Sequence, residues 1–549
     1  MTFSPVRQIK IPLLIPLFHD FFFLLNKNHY FCKSKNCIRI GLIAYKFYIS
    51  MNNLMIKMLA LALLTAMHSS IPAQNLQRTD DATTYREHYR NQYHFSVSRG
   101  WISDPCGLLY YEGKYHCYWW GCAESSDLVH FTEINRRSQM GVPKGQQCWT
   151  GCVIADVNNT AGFGAGSYIS CLTHHNDSAK LQTQGLGISN DHGRTFSYYQ
   201  GNPVLDIGYQ DFRDPTVFWH EESQQWIMVV SKTLESKAAF YASKDLKRWT
   251  WLSDFGPAGR TYRCFECPDF FKLKVEGEDT EKWVLVVSVD WDNEQYFVGD
   301  FDGREFHAEG LEPETGLYVD RAPDFYASRT TRDFDGTLCG EVYSIGWMSN
   351  WAYCRLLPNN YGHQGFWSVP RRLSLISTPD GYRLAQHPKE ELKSLRGTQK
   401  SYQGKLKAGI SPVKEIATLG NTYEMEVTFD CEGSHTFGMN LCVGSGRKAV
   451  VTYHTDSHSL TVDRTQVADF RMEKFERTCH AKVSPIDGKL KLRIFVDKCS
   501  IEIFSEDGAD VFSLATFAGD DQTGFEFFAL DSDINYQMNV WPMLSIWKQ

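Results

Sequence analysis

The sequence predicts an all-β chain, a five-bladed β-propeller followed by a β-sandwich domain. Three observations predict it. From Tyr85 to about Arg383, short β-rich runs are separated by Gly, Asn and Asp residues, with no sustained helical period. An Asp-centred turn recurs through the same stretch. After a brief charged interruption the strands resume without that turn.

The recurring turn reads SDLVHF at Ser126–Phe131, SNDHGRTF at Ser189–Phe196, SKDLKRW at Ser243–Trp249 and GDFDGREF at Gly299–Phe306. Its aspartates, Asp127, Asp191, Asp245 and Asp302, lie 64, 54 and 57 residues apart. That period suits one four-stranded blade per repeat, with the Asp turn joining the outer strands and the aromatic anchoring the blade. Residues 85–385, about 300 at that period, make five blades. Strands are expected at Gly107–Tyr111, Tyr115–Trp120, Trp226–Ser231, Trp283–Val289 and Glu341–Trp347. A connector follows over 386–397, helical from Lys389 to Arg396 because Leu392 and Leu395 share one face of a polar segment. From 398 to 549 the runs Tyr423–Phe429, Lys448–Tyr453, Leu490–Val496, Ser500–Phe504 and Gly524–Leu530 suggest a sandwich.

Composition bounds the function. The chain is 43% hydrophobic and 22% charged, with a net charge of −8, so it has no basic footprint for a nucleic acid. Residues 51–73 have the layout of a secretory signal: Lys57, an apolar run from Met58 to Met67, then small and polar residues ending at Ala73. Residues 1–73 are therefore expected to be a leader, an over-long start plus a signal peptide from Met51. No apolar run in it reaches the ~18 residues of a membrane span. Losing it removes 8 Lys and Arg but 1 Asp, which takes the net charge from −8 to −15. The expected location is secreted or periplasmic, with no mature membrane span. The 14 cysteines after the leader are spread over a chain too large to need staples, and most are expected to be buried thiols. Cys264 and Cys267 have zinc-like spacing, but there is no second such pair, and no metal is expected.

Three carboxylates stand in unusual local sequence. Asp104 lies in WISDPCG (Trp101–Gly107), where Pro105 biases it toward an extended backbone and Gly107 permits a sharp exit. Asp214 lies between Arg213 and Pro215, and Glu266 stands two residues before Pro268. They precede the Asp turns of the first, third and fourth blades. The innermost strands of a propeller converge on one axial funnel, so acids far apart in sequence meet there. Two carboxylates facing across a pocket are what glycoside hydrolysis needs, one to attack or to activate water and one to protonate the leaving oxygen. Tryptophans such as Trp101, Trp291, Trp347, Trp351 and Trp367 suit stacking on sugar faces.

These residues, with YHF at Tyr93–Phe95, FRDP at Phe212–Pro215, ECP at Glu266–Pro268, DFYA at Asp324–Ala327, GWMSNW at Gly346–Trp351, PRRLS at Pro370–Ser374 and QHP at Gln386–Pro388, resemble glycoside hydrolase family 32. That is the family of invertases, inulinases and levanases. The likeness reaches the carboxyl-terminal half, where Phe495–Asp497 and Ser500–Phe504 resemble the family's sandwich. It implies a β-fructofuranosidase acting on a fructan or sucrose-like saccharide, with no cofactor. By motif, Asp104 would be the nucleophile, Glu266 the general acid and base, and Asp214 the residue that binds fructosyl hydroxyls. Trp101, Ser103, Trp149, Arg213 and Trp351 are the candidate sugar-binding residues beside them.

Two departures bear on specificity. The family's usual WMNDPNG is here WISDPCG, so Ser103 and Cys106 replace two amides that help frame the sugar pocket. The long loop that ordinarily follows the first-blade strand is also missing, since Tyr115–Trp119 runs almost directly into Trp120–Leu128. Lost innermost hydrogen bonds favour a long substrate, which compensates through outer contacts, over sucrose. A related furanosidase, for example one acting on arabinofuranosides, and a non-catalytic carbohydrate-binding propeller remain open readings.

Overall fold

The computed structural model describes residues 85–136, 145–310, 317–333, 340–358, 362–412, 420–433 and 435–547. The expected leader, residues 1–73, lies outside them. Among the described residues the regular secondary structure is almost wholly strand, and the helical elements are three short 3-10 segments. None is a helix long and apolar enough to cross a membrane.

Five four-stranded antiparallel units follow one another from Leu108 to Pro388. Their innermost strands are Leu108–Tyr111, Gln147–Asp156, Phe212–His220, Phe265–Lys274 and Tyr326–Arg332. A short strand, Leu317–Tyr318, also pairs with the fourth unit. The ring closes where the innermost strands of the fifth and first units pair in parallel, Thr331 with Leu108 and Arg332 with Leu109. Neighbouring blades share apolar layers, and the central strands are buried on both faces. Trp226–Val230 and Val284–Val289 accordingly read as near-continuous hydrophobic runs.

The Asp turn is a hydrogen-bonding device. Asp127 Oδ1 accepts from the backbone N–H of Val129 and His130, at 2.9 and 2.8 Å. Asp245 does the same for Lys247 and Arg248, Asp302 for Arg304 and Glu305, and Asp191 for Thr195. Each turn joins the third strand of a blade to the fourth, so the carboxylate satisfies amides that the ladder leaves orphaned. The fifth blade lacks the device because its outer strands, Arg371–Thr378 and Gly381–Pro388, join through two residues.

Between propeller and sandwich runs a 3-10 helix, Glu390–Leu395, with Leu392 and Leu395 buried. The sandwich is two six-stranded antiparallel sheets whose apolar faces enclose Met425, Val427, Phe437, Met439, Ile494 and Phe527. A buried ionic seam joins it to the propeller. His94 lies between Asp497 and Glu502 at 2.9 Å from each, and Arg371 joins Glu502 at 2.7 Å and Asp320 at 3.1 Å. Arg464 of the sandwich pairs with Asp324 and donates to the Tyr353 hydroxyl at 2.8 Å.

Candidate active site

Four of the innermost strands break register near their first residues, all at one end of the propeller: between Cys148 and Gly151, Arg213 and Thr216, Glu266 and Asp269, and Tyr326 and Arg329. Three of these breaks carry a non-glycine residue at positive φ, Asp214 at 67°, Cys267 at 48° and Ala327 at 53°. Asp214 and Cys267 each precede a proline. Such a bulge suspends the two-residue alternation, so consecutive side chains turn to the same side. Arg213 and Asp214 both wall the axial funnel for this reason, and so do Glu266 and Cys267. Asp104 arrives from the loop before the first blade. Gly107 ends that loop at φ 136°, pressed so close to the second blade that a Cβ would stand 2.9 Å from the Val153 nitrogen.

Asp104, Asp214 and Glu266 thus meet at the base of an open funnel of ≈ 540 Å³. Asp104 Oδ2 accepts from the Thr150 hydroxyl at 2.8 Å, and among the described residues Oδ1 has no hydrogen-bond partner. Asp214 Oδ2 accepts from the Cys267 N–H at 3.1 Å, and the Asp214 N–H donates to Thr173 Oγ1 at 2.8 Å. Glu266 Oε1 accepts from Arg213 Nη2 at 2.7 Å and Nε at 3.2 Å, while Oε2 accepts from the Tyr326 hydroxyl at 2.6 Å. Arg329, wholly buried behind the carboxylates, donates to the carbonyls of Cys267 and Pro268.

Burial dominates the electrostatics. It pushes the Asp104 carboxyl up to about 7, aided by the charges of Asp214 and Glu266 and opposed by Thr150 and Arg329. Asp214 rises to about 6, again chiefly through burial, with Arg213 pulling down and Glu266 pushing up. Arg213 is held above its ordinary value: burial works against its charge, and Glu266 and Asp214 outweigh burial.

Above the acids the walls are aromatic. Trp120, Trp149, Trp291 and Trp351 line the funnel with Gln147 and Arg355. Trp149 stacks on His175 with centroids 4.1 Å apart, and Trp120 Nε1 donates to the Cys148 carbonyl at 2.9 Å.

Of the sequence-derived sugar-binding candidates, the structure brings Trp149, Arg213 and Trp351 to the funnel wall. Ser103 is not there: it is fully buried, its carbonyl accepting from Trp367 Nε1 at 2.7 Å. Trp101 lies one layer back, stacked on Trp351 at 6.4 Å. Trp347, Trp367 and Trp119 are core residues. Cys106 is buried as well, so neither residue at the replaced amide positions walls the funnel. The first-blade connection is as short as expected, Trp119–Gly121 between Lys114–Tyr118 and Cys122–Ser125, and it carries Trp120 into the wall.

Sequence reasoning missed Thr150, Tyr326, Arg329 and Arg355. Tyr326 sits inside the DFYA run, which flagged the segment without its contact to Glu266. Thr150 follows Trp149 without a motif of its own, and no local pattern marks Arg329 or Arg355. The described cysteines are free thiols, eleven buried and two, Cys148 and Cys431, half-buried.

Comparison with known proteins agrees with this geometry. Residues 94–388 match the glycosyl hydrolases family 32 N-terminal domain, and residues 391–542 match the glycosyl hydrolases family 32 C terminal model. The chain is 34% identical over 501 residues to a levanase of Bacillus subtilis, covering 85% of this chain and 72% of the relative. It is 31% identical over 496 residues to an extracellular exo-inulinase of Aspergillus awamori, covering 80% and 91%. The crystal structure of exo-inulinase from Aspergillus awamori superposes with a TM-score of 0.77 at 28% identity, over 84% of this chain and 100% of that one. A fructofuranosidase from Schwanniomyces occidentalis complexed with fructose gives 0.73 at 25%, over 85% and 100%. With the two family models matched over residues 94–388 and 391–542, and three carboxylates drawn from separate blades into one funnel, the chain belongs to glycosyl hydrolase family 32.

Proposed function

We propose that this protein is an exported hydrolase of β-fructofuranosidic bonds in fructans such as levan or inulin, working by double displacement with retention. Asp104 is the nucleophile. Its carboxylate attacks the anomeric C2 of a fructosyl unit while Glu266 gives its proton to the departing glycosidic oxygen. A water then adds to C2, its proton passing to Glu266, and the bond to Asp104 breaks to release fructose. The sum is glycoside plus water giving fructose plus the shortened chain. Asp214, braced by the Cys267 N–H, accepts hydrogen bonds from fructosyl hydroxyls.

The observation that carries this reading is the convergence of Asp104, Asp214 and Glu266 at the base of one tryptophan-walled funnel. Levanase and exo-inulinase relatives support the fructan substrate, and likeness to an extracellular exo-inulinase supports export. The test is to incubate the protein with levan, inulin, sucrose and a chromogenic arabinofuranoside, identify the sugar released, and follow its anomer by NMR. Release of β-fructose from fructans supports the proposal. Arabinose release alone, inverted product, or binding without turnover each refutes it. Amino-terminal sequencing of exported protein is expected to begin near Gln74, and a start near Met1 would refute the processing expectation.

A further inference from the structure

The funnel wall does not end the aromatic surface. Trp291 is 42% exposed on the funnel rim, and beyond it stands Tyr262, 79% exposed and outside the funnel wall. The Arg263 guanidinium lies between them, 5.1 Å from the Trp291 ring centroid and 5.5 Å from that of Tyr262. Large exposed aromatics in so ordered a row are unusual on a surface unless something covers them.

Their support is stiff. Asp290 and Trp291 both sit at positive φ, 56° and 72°, in the hairpin turn between Glu281–Val289 and Asn293–Phe301. Asp290 accepts from the Arg263 N–H at 2.9 Å and pairs with Arg260, which ties the Tyr262 loop to the hairpin. The Trp291 carbonyl accepts from the Trp351 N–H at 2.9 Å, and Asp292 pairs with sandwich residue Arg477 at 2.8 Å. Backbone strain at an exposed tryptophan, held by three separate braces, is an arrangement suited to ligand contact. A rigid surface of this kind loses little entropy on binding.

We infer that Tyr262, Arg263 and Trp291 form an outer saccharide-binding platform, which receives the fructosyl units of a fructan chain beyond the bond being cut. This rests on the fructan-hydrolase reading above. A chain whose terminal unit reaches Asp104 at the closed end has to leave through the mouth, and the platform is continuous with the funnel wall there. The rings offer faces to the C–H surfaces of a sugar, and the guanidinium offers donors to its hydroxyls. Sucrose, with one unit beyond the bond, is too short to reach Tyr262. The platform therefore favours longer substrates over sucrose.

The test compares wild type with Trp291→Ala, Tyr262→Ala and Arg263→Ala on sucrose, short fructo-oligosaccharides, inulin and levan. The measured quantity is the ratio of kcat/KM on the long fructan to that on sucrose. It is expected to fall about three- to tenfold in each variant. Tyr262→Trp is expected to keep it. Tyr262 is so exposed that its removal leaves the fold intact, which keeps the test decisive if Trp291→Ala misfolds. An unchanged ratio in Tyr262→Ala and Arg263→Ala, with fructose still released, overturns the platform and leaves the hydrolase reading standing. Absence of fructose release by wild type overturns the hydrolase reading, and the platform with it.

Discussion

Tyr326 donates its hydroxyl to Glu266 Oε2 at 2.6 Å, so a fifth-blade strand sets the orientation of a fourth-blade carboxyl. Arg213 of the third blade takes the other oxygen at 2.7 Å. Glu266 is thereby pinned between neighbours on both sides of its own blade. Asp104 is held by one hydroxyl, that of Thr150, and its other oxygen is buried without a hydrogen-bond partner among the described residues. Glu266 is thus held from two blades and Asp104 from one, a division that fits the double displacement proposed above.

Replacing Tyr326 by Phe deletes a hydrogen bond to a carboxyl that is worth about 1.5–3 kcal/mol when the acceptor is charged. The variant is expected to lose at least tenfold in kcat on a fructan, with KM little altered and the melting temperature within a few degrees of wild type. Steady-state kinetics beside a thermal melt checks this, and wild-type kcat would show that Arg213 orients Glu266 alone.

Glu266→Ala is expected to lower kcat by roughly 10²–10⁴ on fructans. An activated aryl fructoside, whose leaving group needs little protonation, loses far less in its first step. Comparing the two substrates checks it, and equal losses on both would deny Glu266 the acid's role.

The acid limb of the activity profile is expected well above the ordinary Asp range near 3.9. In the mechanism proposed above, attack needs ionised Asp104, whose carboxyl is pushed up to about 7, with Asp214 at about 6 beside it. The apparent values belong to the coupled group. kcat/KM therefore falls as pH drops through 7 to 6, and in Asp214→Asn, which removes a like charge, the residual activity has its limb at lower pH. A pH–rate profile of both proteins is the measurement, and a limb near 4 in wild type would contradict it.

The raised value of Asp104 also means that the folded protein holds its proton more tightly than the unfolded chain does. The stability associated with the protonated form is fully present below about 4 and is lost as pH rises through about 7. Asp104→Asn is therefore expected to be inactive and, at pH 8, more stable than wild type by about 1–4 kcal/mol, with the gap closing toward pH 4. Denaturant titrations at the two pH values test it.

At the seam between the domains the sign is reversed in origin but not in direction. Burial works against the charge of His94, and Asp497 and Glu502 outweigh it, raising it to about 9. Its contribution is fully present below 6.5 and is lost as pH rises through about 9. His94→Gln leaves buried Asp497 without its cation and Glu502 with Arg371 alone, and is expected to cost about 3–5 kcal/mol at pH 6 and much less at pH 10. A penalty independent of pH would mean that His94 is neutral in the fold.

Alternating hydrophobics, repeated Asp turns and Pro-flanked acids determined the all-β class, the blade period and the identity of Asp104, Asp214 and Glu266 as a set. These are local features: a turn carboxylate caps amides two or three residues away, and strand alternation is set by nearest neighbours along the chain. The structure alone decided which side chains reach the funnel. Ser103 is next to Asp104 yet buried, and Trp101 is half-buried against Trp351, while Thr150 and Tyr326 come from other blades to the carboxylates. For the pairs Arg213–Asp214 and Glu266–Cys267 the bulges are the reason. One extra residue reverses the face a side chain takes, and whether a strand bulges depends on its partner across the ladder and on the blade packed beside it, neither of which is written in its own few residues.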